Sequence, residues 1–160
     1  MKKGILAVSF GTSHIDTMEK TIDVLEKEFA KTFEEAAVYR AFTSNMIIKK
    51  LKRTANIKVQ TVGEALEKMA ADGIEEVIVQ PTHVINGIEN DRMLQEVMEH
   101  MHLFRKVYVG KPLLSSVEDY KKAIHAVMEK TVIGEDEMLV LMGHGTDHHA
   151  NSAYPTLEYT

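Results

Sequence analysis

Short apolar runs alternate along this chain with stretches whose apolar residues return every three or four positions, and few folds accommodate that rhythm. Gly4–Phe10, Ala36–Phe42, Glu76–Gln80, Lys106–Val109 and Met138–Met142 read as strands. The last of these is too short for a helix of its own and reads as a fully buried strand. Between the first two, Ile15, Met18, Ile22, Leu25 and Phe29 predict one amphipathic helix, with Ser13 and Asp16 as its start signal. Thr43-Ser44 can cap a short basic helix through Met46, Ile47 and Leu51 that carries Lys49, Lys50, Lys52 and Arg53. Thr61 with Glu64 forms a capping box for a helix through Leu66, Met69 and Ala70 that ends near Gly73. Met93, Leu94, Val97, Met98 and Met101 predict another. Ser115 with Glu118 starts the helix of Val117, Tyr120, Ile124 and Val127, which Gly134 breaks.

Strands alternating with helices of this length predict βαβ units: the α/β class, a parallel sheet of four to five strands with helices on both faces. The ten methionines fall mostly at helical core spacing, where an unbranched thioether fills gaps. A chain of 160 residues builds one domain with a real core.

The net charge of −5 argues against a general nucleic-acid or anionic-membrane surface. No stretch is long enough to span a bilayer. Met1-Lys2-Lys3 followed by an apolar run faintly mimics a signal peptide, but the run is short and lacks a cleavage site, so a first strand and a cytoplasmic location are expected. With no cysteine, thiol nucleophiles and thiolate metal sites are impossible, and any metal site must draw on the eight histidines and on Asp and Glu.

The chemistry gathers at strand exits. Met138–Met142 ends in Gly143-His144-Gly145, and His148 and His149 follow. Glycine on both sides of His144 lets the backbone turn sharply or lets something bulky approach. Adjacent residues of a helix point about 100° apart, so at most one of His148 and His149 can share the cavity of His144. Ser9-Phe10-Gly11-Thr12-Ser13 follows the first strand. It carries neither a dinucleotide glycine pattern nor a Walker A loop, and no Gly-x-Ser-x-Gly elbow exists in the chain. Pro81 to Glu89, with His83, Asn86, Gly87 and Glu89, follows the third. Taken alone, Glu89 is an ordinary first-turn helix acid and His83 an ordinary loop histidine. In a parallel sheet, however, these exits open on one edge, where His144 and Glu89 can converge. An imidazole and a carboxylate suit a divalent first-row metal and also accept protons near neutral pH.

Ser9-Phe10-Gly11-Thr12-Ser13, Arg40-Ala41-Phe42-Thr43-Ser44, His83-Val84-Ile85-Asn86-Gly87 with Glu89, Pro112-Leu113-Leu114-Ser115-Ser116 and Met142-Gly143-His144-Gly145 with His148-His149 resemble the anaerobic sirohydrochlorin cobaltochelatase of the CbiK type. The matches span nearly the whole chain in order. The resemblance implies a flavodoxin-like class II chelatase fold of two similar lobes facing across a cleft. Residues 1–146 would form the amino-terminal lobe, and 147–160 the start of a helix leading to a second lobe. It implies Co²⁺ insertion into sirohydrochlorin in anaerobic cobalamin synthesis. His144 would be metal ligand and proton acceptor and Glu89 a further ligand, with another histidine supplied by the second lobe.

Ser9, Phe10, Gly11, Thr12, Ser13, His83, Asn86 and Gly87 are then candidate tetrapyrrole contacts, and Gly11, Gly87 and Gly145 would keep the gap open. Imidazole suits cobalt, nickel and iron alike, so Fe²⁺ and Ni²⁺ remain compatible substrates and the ligands do not choose among them. The partner the resemblance implies is a tetrapyrrole; neither nucleic acid nor membrane is expected, and a homo-oligomer is compatible with the sequence. Pro155 inside a helix-like tail without a stop signal reads as a truncated chain, a swapped or docked tail being the alternative. Two other readings compete: a flavodoxin-like module that binds metal or tetrapyrrole without turnover, and a metal-dependent hydrolase, which would need a second carboxylate cluster.

Overall fold

The computed structural model describes residues 1–160. Four strands, β1 (Lys3–Ser9), β2 (Ala36–Phe42), β3 (Glu76–Pro81) and β4 (Lys106–Val109), form one parallel sheet in the order β2-β1-β3-β4. The helices are α1 (Ile15–Lys20), α2 (Ile22–Thr32), α3 (Asn45–Ala55), α4 (Val62–Ala71), α5 (Ile88–His100), α6 (Val117–Lys130) and α7 (Ala153–Glu158). The register sets Ser9 beside Phe42 and Val8 beside Pro81, so the carboxyl ends of β2, β1 and β3 are level. The chain steps from β1 outward to β2 on one side and from β3 outward to β4 on the other. The connections therefore diverge between β1 and β3, where open α/β sheets leave a crevice. No helix is long and apolar enough to cross a membrane.

The pleat divides the core in two. Leu6, Val8, Ala41, Val77 and Val79 point to one face and pack with Ala65, Leu66 and Met69 of α4 and Met93 and Val97 of α5. Phe42 points to the other face and joins Met18, Ile22, Leu51 and Val59. Helices on both faces follow from central strands whose interiors are apolar on both sides of the pleat. The capping box forms as the sequence indicates: Thr61 Oγ1 accepts from the Glu64 amide and Glu64 Oε2 accepts from the Thr61 amide. Ser44 likewise caps α3 through the Ile47 amide.

Four expectations are corrected. The helix from Ile15 to Phe29 is two helices, broken at Thr21 (φ −126°, ψ −78°), whose hydroxyl donates to the Thr17 carbonyl at 2.7 Å. That back-bonding competes with the helical ladder. The first helix is preceded by His14 with no side-chain cap, so Ser13 is not its start. Ser116, not Ser115, caps α6: its Oγ accepts from the Asp119 amide and donates to the Asp119 carboxylate. Met138–Met142 is not a buried strand. It pairs with no strand, and Met138 is 86% and Met142 95% exposed. Hydrophobic pattern reports what a segment can bury, and pairing needs a neighbour. Here the sheet stops at the four-residue β4, and α6 buries none of its residues. Pro155 is accommodated because it is the third residue of α7, where a backbone N–H has no helical partner anyway.

Candidate functional site

The crevice between β1 and β3 opens into a cavity of about 1080 Å³, at the upper end of the range for small-molecule sites. Three exits supply most of its wall, and Thr17, Thr21, Ile22, Arg92 and Tyr154 complete it. Ser9, Phe10, Gly11 and Thr12 follow β1. Thr82 to Asn90 (except Asn86) follow β3, and His144 to Asp147 come from the carboxyl-terminal segment. Glu89 and His144, 55 positions apart, therefore face one space. Ser13 and Asn86 do not line it. Asn86 Nδ2 instead donates to the Leu114 carbonyl and to Ser115 Oγ at 3.0 Å, which ties the loop after β3 to the loop after β4. Neither His148 nor His149 reaches the cavity.

The exits are held locally. Ser9 is buried, and its hydroxyl shares a 2.7 Å hydrogen bond with that of Thr82, clasping the two strand ends. Gly11 has φ +100°, and a Cβ there would meet the Phe42 ring at 2.5 Å, so only glycine turns the chain at this point. Gly145 (φ +75°) makes the turn after His144, and a Cβ on Gly143 would lie 2.4 Å from the Tyr154 ring. The two glycines around His144 thus serve both of the ends the sequence offers, a sharp turn and a close approach. The approaching group is the chain's own Tyr154, itself in the cavity wall.

His144 is exposed, with Nδ1 3.0 Å from the Gly145 carbonyl. In the neutral tautomer that donates this bond, the Nε2 lone pair is free. Glu89 stands in the first turn of α5 with its side chain 26% exposed. One oxygen accepts from Arg92 Nη1 at 2.8 Å, and Oε2 is buried without a partner. His83 has both ring nitrogens buried and unpartnered. Burial holds its pKa below the usual imidazole value, against the pull of the Glu89 charge. No three His, Asp or Glu side chains stand close enough to hold an ion by themselves. The cavity thus offers a free imidazole nitrogen, an under-used carboxylate and a neutral imidazole. Together they can bind a soft-to-borderline cation or accept a proton.

Sequence reasoning missed Asn90, Arg92, Thr146 and Tyr154 in the wall. Arg92 was accessible, since it lies three positions after Glu89 on one helix face. Tyr154 was not, because no local pattern foretells that the tail folds back over Gly143.

A family model described as cobalt chelatase (CbiK) matches residues 3–160. The sirohydrochlorin cobaltochelatase of Salmonella typhimurium is 42% identical over 160 residues, covering 99% of this chain and 61% of that protein. The sirohydrochlorin cobaltochelatase CbiKC of Nitratidesulfovibrio vulgaris is 34% identical over 160 residues, covering 98% of this chain and 56% of that protein. The chain spans about three fifths of the length of the curated relatives it matches. A crystal structure of a CbiX protein assigned to cobalamin (vitamin B12) biosynthesis in Marinobacter aquaeolei VT8 superposes with a TM-score of 0.52. It is 16% identical and covers 80% of this chain and 95% of that one, a likeness of fold. With a family model matched from the first strand to the last residue and two relatives above 30% identity, the chain belongs to the cobalt chelatase (CbiK) family.

Proposed function

We propose that this chain is the amino-terminal lobe of a sirohydrochlorin cobaltochelatase, inserting Co²⁺ into sirohydrochlorin on the way to cobalamin. The observation that carries the reading is the convergence of Glu89 and His144, from exits far apart in sequence, on one cavity at the crevice of the sheet. Insertion requires a metal stripped of water and a macrocycle stripped of two pyrrole protons. His144, its Nδ1 occupied by the Gly145 carbonyl, presents Nε2 to the ion. Glu89 supplies a carboxylate oxygen that no protein donor occupies. Arg92, in the same wall, offers charge to a macrocycle carboxylate. The substrate ion is Co²⁺; the same donors would accept Fe²⁺ or Ni²⁺. A soluble, cytoplasmic setting accords with this chemistry. Residues 147–160 lead toward a second lobe that completes the ligand set.

The test is a chimera joining residues 1–160 to the carboxyl-terminal remainder of the Salmonella typhimurium relative, assayed for Co²⁺ insertion by absorbance. Insertion that the His144→Ala version loses supports the reading. Insertion at a near-normal rate with Ala at position 144 rejects it. A second reading, a lobe that binds metal or tetrapyrrole without turnover, is favoured for the chain alone by the lack of any cluster of three His, Asp or Glu side chains.

A further inference from the structure

Five buried side-chain polar atoms in the whole chain lack a hydrogen-bond partner, and four of them belong to three residues of one cavity wall. They are both ring nitrogens of His83, Oε2 of Glu89 and Oδ1 of Asn90. Buried polar groups are almost always satisfied, so orphans gathered in one place call for a ligand. Asn90 is 5% exposed, so bulk solvent barely reaches it. We propose that the inner wall formed by His83, Glu89 and Asn90 is a loading site for a divalent first-row cation. In that site the ion is held before the rim imidazole of His144 engages it. The inference rests on the chelatase reading for its place in the reaction, but not for its chemistry.

The chemistry is one of acceptors. Carboxylate and amide oxygens can only accept, and a neutral imidazole offers one lone pair. Burial keeps His83 in that neutral form. An imidazole with two oxygens, completed by water, suits Co²⁺, Ni²⁺ or Fe²⁺ better than a purely oxygen-seeking ion. Two positions in one cavity also give a hydrated ion a staged route: it exchanges water for the inner donors first, and Glu89, common to both sets, hands it outward. The inner atoms are shut from solvent, so loading requires the His83 ring and the Asn90 amide to rotate about their side-chain torsions.

The experiment is a calorimetric and visible-absorption titration of the 160-residue chain with CoCl₂ and no tetrapyrrole. Wild type is compared with His83→Ala, Asn90→Leu, Asn90→Asp and His144→Ala, each checked for its fold by circular dichroism. The site predicts that His83→Ala and Asn90→Leu weaken Co²⁺ binding by about tenfold or more, and that each loss exceeds the one caused by removing the rim ligand in His144→Ala. Asn90→Asp tightens it and guards against a loss caused by misfolding. Wild-type affinity in both His83→Ala and Asn90→Leu overturns the proposal, as does loss of binding in His144→Ala alone. If His83→Ala spares Co²⁺ but, in a parallel titration with metal-free sirohydrochlorin, abolishes binding of the macrocycle, the wall serves pyrrole N–H groups and the cation site is wrong. The chimera assay is separate. Failure of insertion there with Co²⁺ still bound at His83 removes the chelatase reading and leaves the site.

Discussion

His148 Nε2 lies 3.0 Å from Asp91 Oδ2, joining residues 57 positions apart. His148 Nδ1 accepts the Ala150 amide at 3.1 Å, so the ring proton sits on Nε2 and is donated to the carboxylate. The segment that carries His144 is thereby moored to the first turn of α5, two residues from Glu89. Cutting this mooring should loosen the segment without unfolding the domain. Asp91→Ala should cost about 1 kcal/mol or less of global stability, as exposed pairs do. Amide hydrogen exchange should rise in residues 143–150 and not in β1 or β3. Uniform exchange in the variant and wild type would remove the mooring role.

Gly143 and Tyr154 form a second joint. A Cβ at 143 would sit 2.4 Å from the Tyr154 ring. Gly143→Ala should therefore displace the ring and destabilise the tail. Adding Tyr154→Ala should relieve most of that effect, giving a coupling of about 1 kcal/mol in a double-mutant cycle. Thermal melts of the four proteins measure it; strict additivity would mean that the contact is not made.

Arg40 on β2 grips α2. Its Nε donates to Glu26 Oε1 at 2.8 Å, while Nη2 reaches Glu26 Oε2 at 2.5 Å and also Asp23. The three side chains are between 15% and 27% exposed, so the charges are poorly solvated. Arg40→Ala leaves two carboxylates facing each other and should cost about 1–3 kcal/mol. Arg40→Lys should recover only part, because an ammonium cannot match the fork. Urea midpoints with unchanged slopes would record this.

His83 sets a pH dependence. Its folded pKa lies below the usual 6.5 because burial disfavours the cation. Below 6.5 the unfolded chain takes a proton that the folded chain resists. The group's contribution is therefore fully present above 6.5 and is lost as pH falls through the folded value. The stability of His83→Gln should gain on that of wild type as pH falls below 6.5, and the difference should be flat above it. A difference that is flat throughout would place His83 in water.

Much of the fold was written locally. The interiors of β1 and β3 are apolar runs, β2 and β4 are apolar apart from Arg40 and Lys106, and Thr61 with Glu64 announces its helix through a bond pattern only three residues wide. The convergence of Glu89 and His144 was also legible, because parallel strands force their exits onto one edge. What local pattern could not carry was partnership. Met138–Met142 has the composition of a buried strand and lies unpaired. Thr21 breaks a helix that its neighbours support, through a hydroxyl bond that no periodicity registers. Asn86 sits in the right loop but turns to Leu114 and Ser115, a contact across 28 and 29 residues. Asn90 reads as a helix-surface residue and is buried, because its place in the wall depends on how α5 lies against the sheet.

The central claim is that one cavity handles the metal, with Glu89 and His144 on its wall. Crystals of the chain soaked in CoCl₂ and measured on either side of the cobalt absorption edge test it most directly. The account predicts an anomalous peak inside the cavity within bonding distance of Glu89. Peaks confined to exposed histidines such as His102 and His125, with the cavity blank, would contradict it.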